Sequence, residues 1–407
     1  MVPKERTGRK STKYYFAEWY HLLFDKELIL LSTHHCEVLI IGAGSMGMAA
    51  GYFLAKRGIQ TILVDSNDPP HVQGSHHGET RLFRYAYQDQ IPYVPLALRS
   101  LGLWKELEAE TAHQILNPTG VLSVSIDDHA SLEAKVKAAQ EHSLPVECFS
   151  RDEILRRWPG FVLPESAKAI LEVNAGILAP EKAIHGYRML AKREGAALFT
   201  HTPAEKIIYG SHGVEVHTKD QTFFADKLLL SSGAGNAHLL KNLSLPLRVV
   251  RKTVGWFHTK GMEFRHPAFP GFVITKGKTD YYGFPDFDGG GLKIGRHDGG
   301  QRIRTGESIL PFGSYPEDEQ DLRQCLNAYM PAASGPLAKG STCLYTVTPD
   351  EHFVIDQHPE YQHVFIAAGF SGHGFKFASA IGEALSEILI DGKANIDLSL
   401  FSLARFV

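Results

Sequence analysis

The sequence predicts an α/β protein in two parts, a Rossmann-type parallel sheet flanked by helices and a separate antiparallel sheet, and three observations predict it. The chain has 407 residues, more than the roughly 250–300 at which a single hydrophobic core stops growing. An apolar run at 37–41 leads into a glycine-rich turn and a helical pattern, the opening of a strand–helix–strand unit. The stretch 249–294 is rich in β-branched and aromatic residues and broken by glycine turns, as antiparallel sheets are.

The elements follow in order. After the strand at 37–41 comes Gly42-Ala43-Gly44-Ser45-Met46-Gly47, then a helix at 48–57 that Gly58 ends, then a strand at 60–65. Asp65 thus stands 18 positions beyond Gly47, the place of an acidic residue in a dinucleotide-binding unit. The run 122–126 reads as a strand, 131–141 as an amphipathic helix, 152–157 as a helix closed by Pro159-Gly160, and 182–194 as another helix. The run 225–230 is a buried strand opening into small residues up to Gly235; 363–368 is a buried strand, 369–374 a glycine loop and 375–388 a helix. The parallel fold is therefore left and re-entered. Its expected segments are 32–120, 173–242 and 336–407, with the second domain at 121–172 and 243–335.

Composition excludes several classes of function. Net charge is −3, with no basic block beyond the first dozen residues, so neither nucleic acid nor an anionic membrane surface is an expected partner. Cys36, Cys148, Cys325 and Cys343 are scattered without CxxC or CxxH spacing. That argues against a disulfide framework or a zinc site and for a reducing cytoplasm, with Cys36, Cys148 and Cys325 read as small buried hydrophobes. At the N-terminus, Lys4, Arg6, Arg9, Lys10 and Lys13 precede an aliphatic and aromatic stretch, but Glu18, His21, Asp25, Lys26 and Glu27 interrupt it. It falls well short of the roughly 20 apolar residues of a membrane span, and 1–31 is read as an extension outside the fold.

Chemistry is carried by five segments. In the first glycine loop, Gly42 permits the tight turn, Gly44 lets the backbone approach a pyrophosphate and Gly47 lets the helix sit close to the sheet. The helix N-terminus around Ser45 and Met46 offers unpaired N–H groups to phosphates, and Asp65 is placed for ribose hydroxyls. The motif does not separate FAD from NAD. The second segment, Gly369-Phe370-Ser371-Gly372-His373-Gly374-Phe375-Lys376, sets a cation where a strand becomes a helix, fit for a reduced flavin's negative charge or for a plain turn. In the third, His77, Arg81 and Arg84 fall on one face if the segment is helical, as a carboxylate-binding surface requires; a solvated basic face is the commoner fate. The fourth, a strand near 292–297, sets Lys293, Gly295 and His297 on one face, and an edge-strand surface lysine is the plainer reading. In the fifth, Cys343 and Tyr345 share a strand face.

Taken together, Gly42 to Gly51, Gly74-Ser75-His76-His77-Gly78, Asp350-Glu351-His352-Phe353 and 367–377 resemble the monomeric sarcosine oxidase family, with N-methyltryptophan oxidases as more distant members. The resemblance runs from about Ser32 to Phe406. It implies a D-amino-acid-oxidase-type fold, one covalently bound FAD per chain, a monomer, and oxidation of sarcosine by O2 to glycine, formaldehyde and hydrogen peroxide. It implies that Cys343 bonds to the flavin 8α carbon, that Lys293 activates oxygen with Arg81 beside it, and that Arg84 and Lys376 bind the substrate carboxylate. His77, Tyr282, His297, Tyr345 and Gly372 match the rest of the pocket lining, and Gly42, Gly44, Ser45, Met46, Gly47 and Asp65 the ADP-binding part. There are departures: Val273 stands where the family has a methionine beside the substrate, Gly235 replaces a tryptophan, and Arg296 replaces a tyrosine. Val273 keeps a bulkier N-methyl amino acid open as substrate. An NAD-linked or electron-carrier dehydrogenase and a non-catalytic redox sensor are the rival readings.

Overall fold

The computed structural model describes residues 32–87, 93–240, 243, 245–304 and 307–406, so the expected extension at 1–31 lies outside the described residues. In chain order come β1 (Ser32–Ile41), α1 (Ser45–Lys56), β2 (Thr61–Val64), β3 (Arg81–Phe83), α2 (Tyr93–Thr111), β4 (Leu116–Asn117), β5 (Val121–Ser125), α3 (Ala130–Glu141), β6 (Val146–Ser150) and α4 (Arg151–Arg157). Next are β7 (Lys168–Glu172), β8 (Gly176–Leu178), α5 (Pro180–Arg193), β9 (Ala197–Phe199), β10 (Lys206–Tyr209), β11 (Val214–His217), β12 (Gln221–Leu230) and α6 (Asn236–Leu239). The last third holds β13 (Arg248–Phe257), β14 (Gly271–Lys276), β15 (Thr279–Phe284), β16 (Leu292–Arg296), β17 (Gln301–Ile303), α7 (Glu317–Tyr329), β18 (Leu337–Val347), β19 (Val354–Gln357), β20 (Val364–Ala368) and α8 (Ala378–Asp391).

The first sheet has β1 at its centre, parallel to β2 on one side and β12 on the other, with Ile41 level with both Val64 and Leu230. The strand β12 is shared lengthwise: its first half pairs antiparallel with β11 and its last three residues pair parallel with β20. The chain thus re-enters the parallel sheet after leaving it, as the sequence predicts. Both faces are buried. Val38 and Ile40 pack into the cluster that holds α1, α2, α5 and α8, while Leu39 and Ile41 pack into the cluster on the opposite face, which is why these strands read as continuous apolar runs. The helices α1 and α8 meet where Gly382 leaves no room: a Cβ there would lie 2.5 Å from the Ala49 side chain.

The second sheet runs β18-β13-β16-β15-β14-β5-β7-β6, with β17 also on β13. Its 249–294 portion is antiparallel as predicted, but the earlier strand β5 joins it parallel to β14. The helix α7 covers it through Leu322, Cys325 and Leu326, tied to β13 by the buried Arg251–Asp318 ion pair at 2.7 Å. The strand β18, inside the expected segment 336–407, hydrogen-bonds along all of β13 and so brings Cys343 and Tyr345 to the seam between the sheets.

Four local readings are corrected. Residues 75–80 form turns and Arg81 opens the strand β3, paired with β8, so His77, Arg81 and Arg84 do not share a helix face. Lys293 lies on β16 between β13 and β15 and is 3% exposed, which overturns the edge-strand reading. Cys148 is exposed on β6 rather than buried, because β6 is the sheet's outermost strand. The helix expected at 375–388 begins as a 3₁₀ turn, Phe375–Phe377, and continues as α8 to Asp391.

Candidate active site

A cleft of about 490 Å³ opens where β1 turns into α1. Gly42 has φ +96° and Cβ space ending 2.5 Å from the Ser232 backbone, and a Cβ on Gly47 would lie 2.0 Å from the Gly42 carbonyl oxygen. Both glycines are therefore required by the fold itself. Gly44 is different: a Cβ there would meet only the His76 ring, at an ordinary 3.6 Å, so the bare backbone it presents serves whatever fills the cleft. The helix α1 has no side-chain cap, which leaves the N–H groups of its first turn, at Ser45 and Met46, for a ligand. Asp65, 8% exposed, accepts hydrogen bonds from the Ala43 N–H at 2.8 Å and the Asn67 N–H at 2.9 Å, and His71 Nε2 stands 3.3 Å away. The loops at Ser231–Gly235 and Gly369–Gly372 line the same cleft; the first holds a 3₁₀ turn, Gly233–Gly235.

A second, smaller cavity of about 150 Å³ adjoins it, and Arg81, Tyr345, Gly372 and Phe375 line both. Its walls include His77, Arg84, Tyr282, Lys293, His297, Cys343 and Lys376. Every residue that the resemblance assigns to catalysis, substrate or flavin linkage therefore meets here, from segments as distant as β3 and the 3₁₀ turn before α8.

Charge is held by burial and backbone carbonyls. Arg81 donates to the carbonyls of Ser75, His77 and Thr80 at 2.7–2.8 Å, which closes the turn into a ring around its guanidinium. Lys293 Nζ donates to the Gly78 carbonyl and, at 3.0 Å, to Thr80 Oγ1, and it sits over the Trp256 and Phe284 rings at 4.9 and 4.8 Å. Burial, with Arg81 adding to it, pulls this ammonium down to about 7. Lys376, 5% exposed, donates to the His373 carbonyl at 2.7 Å, and burial beside Arg84 holds it well below the usual lysine range. Arg84 Nε is buried without a hydrogen-bond partner among the described residues, a donor suited to an anion.

The uncharged walls are equally placed. Burial pushes the Cys343 thiol up, against the pull of Arg81, Lys293 and Lys252. It raises Tyr282 to about 12 and Tyr345 well above the phenol range, so both keep their protons. It lowers His297 to about 4, with Lys252 adding to the effect, and lowers His77 as well, with Arg81 adding to it; both rings are neutral at pH 7. Gly372 has φ +78°, and a Cβ there would strike the Tyr345 ring at 2.1 Å.

Four groups escaped the sequence reading. Lys252 donates to the carbonyls of His297, Asp298 and Gly299 and lies 5.1 Å from the centre of the Tyr345 ring, fixing both walls. Glu172, fully buried, accepts from the N–H groups of Tyr85 and Ala86 at 2.7 and 2.8 Å and so anchors the chain just past Arg84. Lys135 and Asp280 also line the cavity. None lies in a motif, and Lys135 sits on a helix read only as amphipathic, so no local signal marked them. Among the described residues no group of three or more His, Cys, Asp or Glu is placed to hold a metal ion, and no helix is long and apolar enough to cross a membrane.

The family model for FAD-dependent oxidoreductases of the DAO type matches residues 37–388. The chain is 49% identical over 379 residues to a monomeric sarcosine oxidase of Bacillus sp. (strain B-0618), covering 92% of this chain and 97% of the relative. It is 37% identical over 371 residues to an N-methyl-L-tryptophan oxidase of Yersinia pestis (strain Pestoides F), covering 91% and 99%. Among solved structures it superposes on glycine oxidase from Geobacillus kaustophilus with a TM-score of 0.75 at 21% identity, covering 92% and 100%. The amino acid oxidase NikD gives 0.79 at 19%, covering 91% and 97%; these two likenesses speak to the fold.

Proposed function

Since the chain belongs to the DAO family of FAD-dependent oxidoreductases, we propose that it is an amine oxidase converting sarcosine, O2 and water to glycine, formaldehyde and hydrogen peroxide. The observation that carries this reading is the Arg84 guanidinium, its Nε buried without a partner among the described residues, with the buried Lys376 in a small cavity contiguous with a glycine cradle. Likeness to relatives named monomeric sarcosine oxidase supports the choice of substrate.

The cradle fits FAD. Gly42 and Gly47 admit no side chain, Gly44 leaves bare backbone, and Ser45 and Met46 present helix N–H groups for a pyrophosphate, with Asp65 beside them. Cys343 would hold the cofactor as a thioether, since it lines the adjoining cavity among three cations. When bound, FAD supplies the two-electron acceptor for the N-methyl C–H bond and the route by which those electrons reach O2.

The chain's own residues do the rest. Arg84 and Lys376 bind the carboxylate through charge-assisted hydrogen bonds, and the arriving anion draws Lys376 back toward its charged form. A substrate anchored there presents its amine in one orientation. His77, His297, Tyr282 and Tyr345 stay neutral and line the amine's surroundings without adding a competing charge; no general base is assigned. Lys293, with Arg81 beside it, stabilises negative charge developing on O2. The proposal includes a monomer with one FAD per chain, acting in the cytoplasm, with the two sheets as cofactor and substrate domains. Val273 favours a second reading, a bulkier N-methyl amino acid, because valine leaves a smaller wall than the family's methionine.

The test is acid denaturation of wild type and Cys343→Ala, followed by inspection of the pellets. Flavin colour is expected to stay with the wild-type pellet and to leave with the mutant's supernatant. Release from wild type would remove Cys343 from the site. Oxygen uptake with sarcosine against N-methyltryptophan separates the two substrate readings.

A further inference from the structure

The reaction cavity is lined in part by groups that the oxidation of sarcosine does not use. Ser131 and Lys135 stand four residues apart on α3, hence on one helix face, and both line the cavity with Val273, Thr275 and Asp280 of β14 and β15. Arg84 lines the same cavity. We propose, building on the reading above, that Lys135 determines specificity and that the cavity accepts N-methyl amino acids with an acidic side chain, the α-carboxylate on Arg84 and the second carboxylate on Lys135.

Three observations favour an anion beside Lys135. The basic side chains lining the cavity are Arg81, Arg84, Lys135, Lys293 and Lys376, of which burial lowers both Lys293 and Lys376, against one lining carboxylate, Asp280, and the buried Glu172 that faces Arg84 and Lys135. The three histidines of its wall, His77, His297 and His373, are held neutral by burial. Of those cations, Arg81, Lys293 and Lys376 spend their protons on carbonyls or a hydroxyl. Lys135 makes no hydrogen bond or ion pair among the described residues, although it is half-buried and Arg84, Glu172 and Asp280 are the charged groups that face it. Asp280 faces Lys135 without a direct ion pair, its Oδ1 accepting the Thr275 hydroxyl at 2.6 Å. A half-buried ammonium without a partner gains most from an anion that brings its own charge. Val273 lines the same cavity as the two cations.

The experiment compares kcat/KM for N-methyl-L-aspartate, its neutral isostere N-methyl-L-asparagine and the basic N-methyl-L-ornithine, in the FAD-loaded wild type and in Lys135→Met. Wild type is expected to prefer the aspartate derivative over the asparagine derivative by about tenfold or more, and Lys135→Met to bring the two within about twofold of each other. No such preference in wild type, a preference kept in the mutant, or a preference for the basic substrate overturns the proposal. Sarcosine is assayed in the same preparations. Turnover of sarcosine without discrimination among the three refutes only the role of Lys135, whereas failure of all four substrates to reduce the flavin refutes the oxidase reading beneath it. Binding is read independently from the visible flavin spectrum: succinate is expected to perturb it at lower concentration than propionate in wild type and not in Lys135→Met.

Discussion

The glycine cradle and the reaction cavity share a wall but are built in opposite ways. The cradle comes from one contiguous segment, 41–47, closed by two other loops, and its working surface is backbone: two glycines with no Cβ space and an uncapped helix start. The cavity comes from at least five segments, and its working surface is side-chain charge stripped of water, with Lys293 at 3% and Lys376 at 5% exposure. Backbone sites tolerate no added atom, and charge sites tolerate no lost partner. The two halves of the site therefore fail differently, and substitutions can separate them.

The largest effect is expected in the cavity. Arg84→Ala should lower kcat/KM for sarcosine by about a thousandfold, since it leaves the substrate carboxylate only Lys376 to bind it in a dry site, and Arg84→Lys should recover only part of it. Retention of FAD should not change. In the cradle the order reverses: Gly47→Ala drives a methyl group to 2.0 Å from the Gly42 carbonyl oxygen and should cost about 3 kcal/mol or more, with loss of bound flavin the first symptom. Thermal denaturation and the flavin-to-protein absorbance ratio measure both. If Gly47→Ala kept its flavin and lost only turnover, the division of labour would be wrong.

Smaller effects sharpen the contrast. Lys293→Met should slow reoxidation of the reduced enzyme by O2 by about a hundredfold while reduction by sarcosine changes much less, as rapid-mixing spectroscopy resolves. Because burial pulls Lys293 down to about 7, its charge is present below that pH and lost above it, so reoxidation should slow as pH rises through about 7. His297 works in the other direction on stability. Its folded value of about 4 lies below the unfolded one near 6.5, so its stabilising contribution is complete above about pH 6.5 and is lost as pH falls toward 4. The loss is on the order of 3 kcal/mol, and melting temperatures across that range should drop less in His297→Gln. Smallest of all, Cys148→Ser on the exposed outer strand should alter stability by less than about 0.5 kcal/mol.

The same contrast explains how much the sequence revealed. Cradle residues are neighbours in the chain, so spacing alone placed Gly42, Gly44, Gly47 and Asp65 where the structure has them. Cavity residues are neighbours only in space. Residue spacing gave His77, Arg81 and Arg84 a common face only if helical and favoured a solvated one, and it read Lys293 as a surface lysine, because burial of a cation depends on which strands flank it, and that is a property of sheet order. Family resemblance recovered Lys293, Cys343, Arg84 and Lys376 as a group. It could not recover Lys135, Asp280 or Lys252, which belong to no quoted motif, nor the helices α2 and α7, whose apolar positions went unread. Cys148 was misplaced for the same reason as Lys293, with the opposite sign: β6 proved to be an outer strand.

The central claim, that a carboxylate-anchoring cavity delivers an N-methyl amine to FAD held in the adjoining cradle, is tested most directly by anaerobic titration of the purified flavoprotein with sarcosine. The expected result is bleaching of the visible flavin band by about one equivalent, with the colour restored on admitting air and hydrogen peroxide appearing in step. A flavin band unmoved by sarcosine in a fully loaded protein would contradict it.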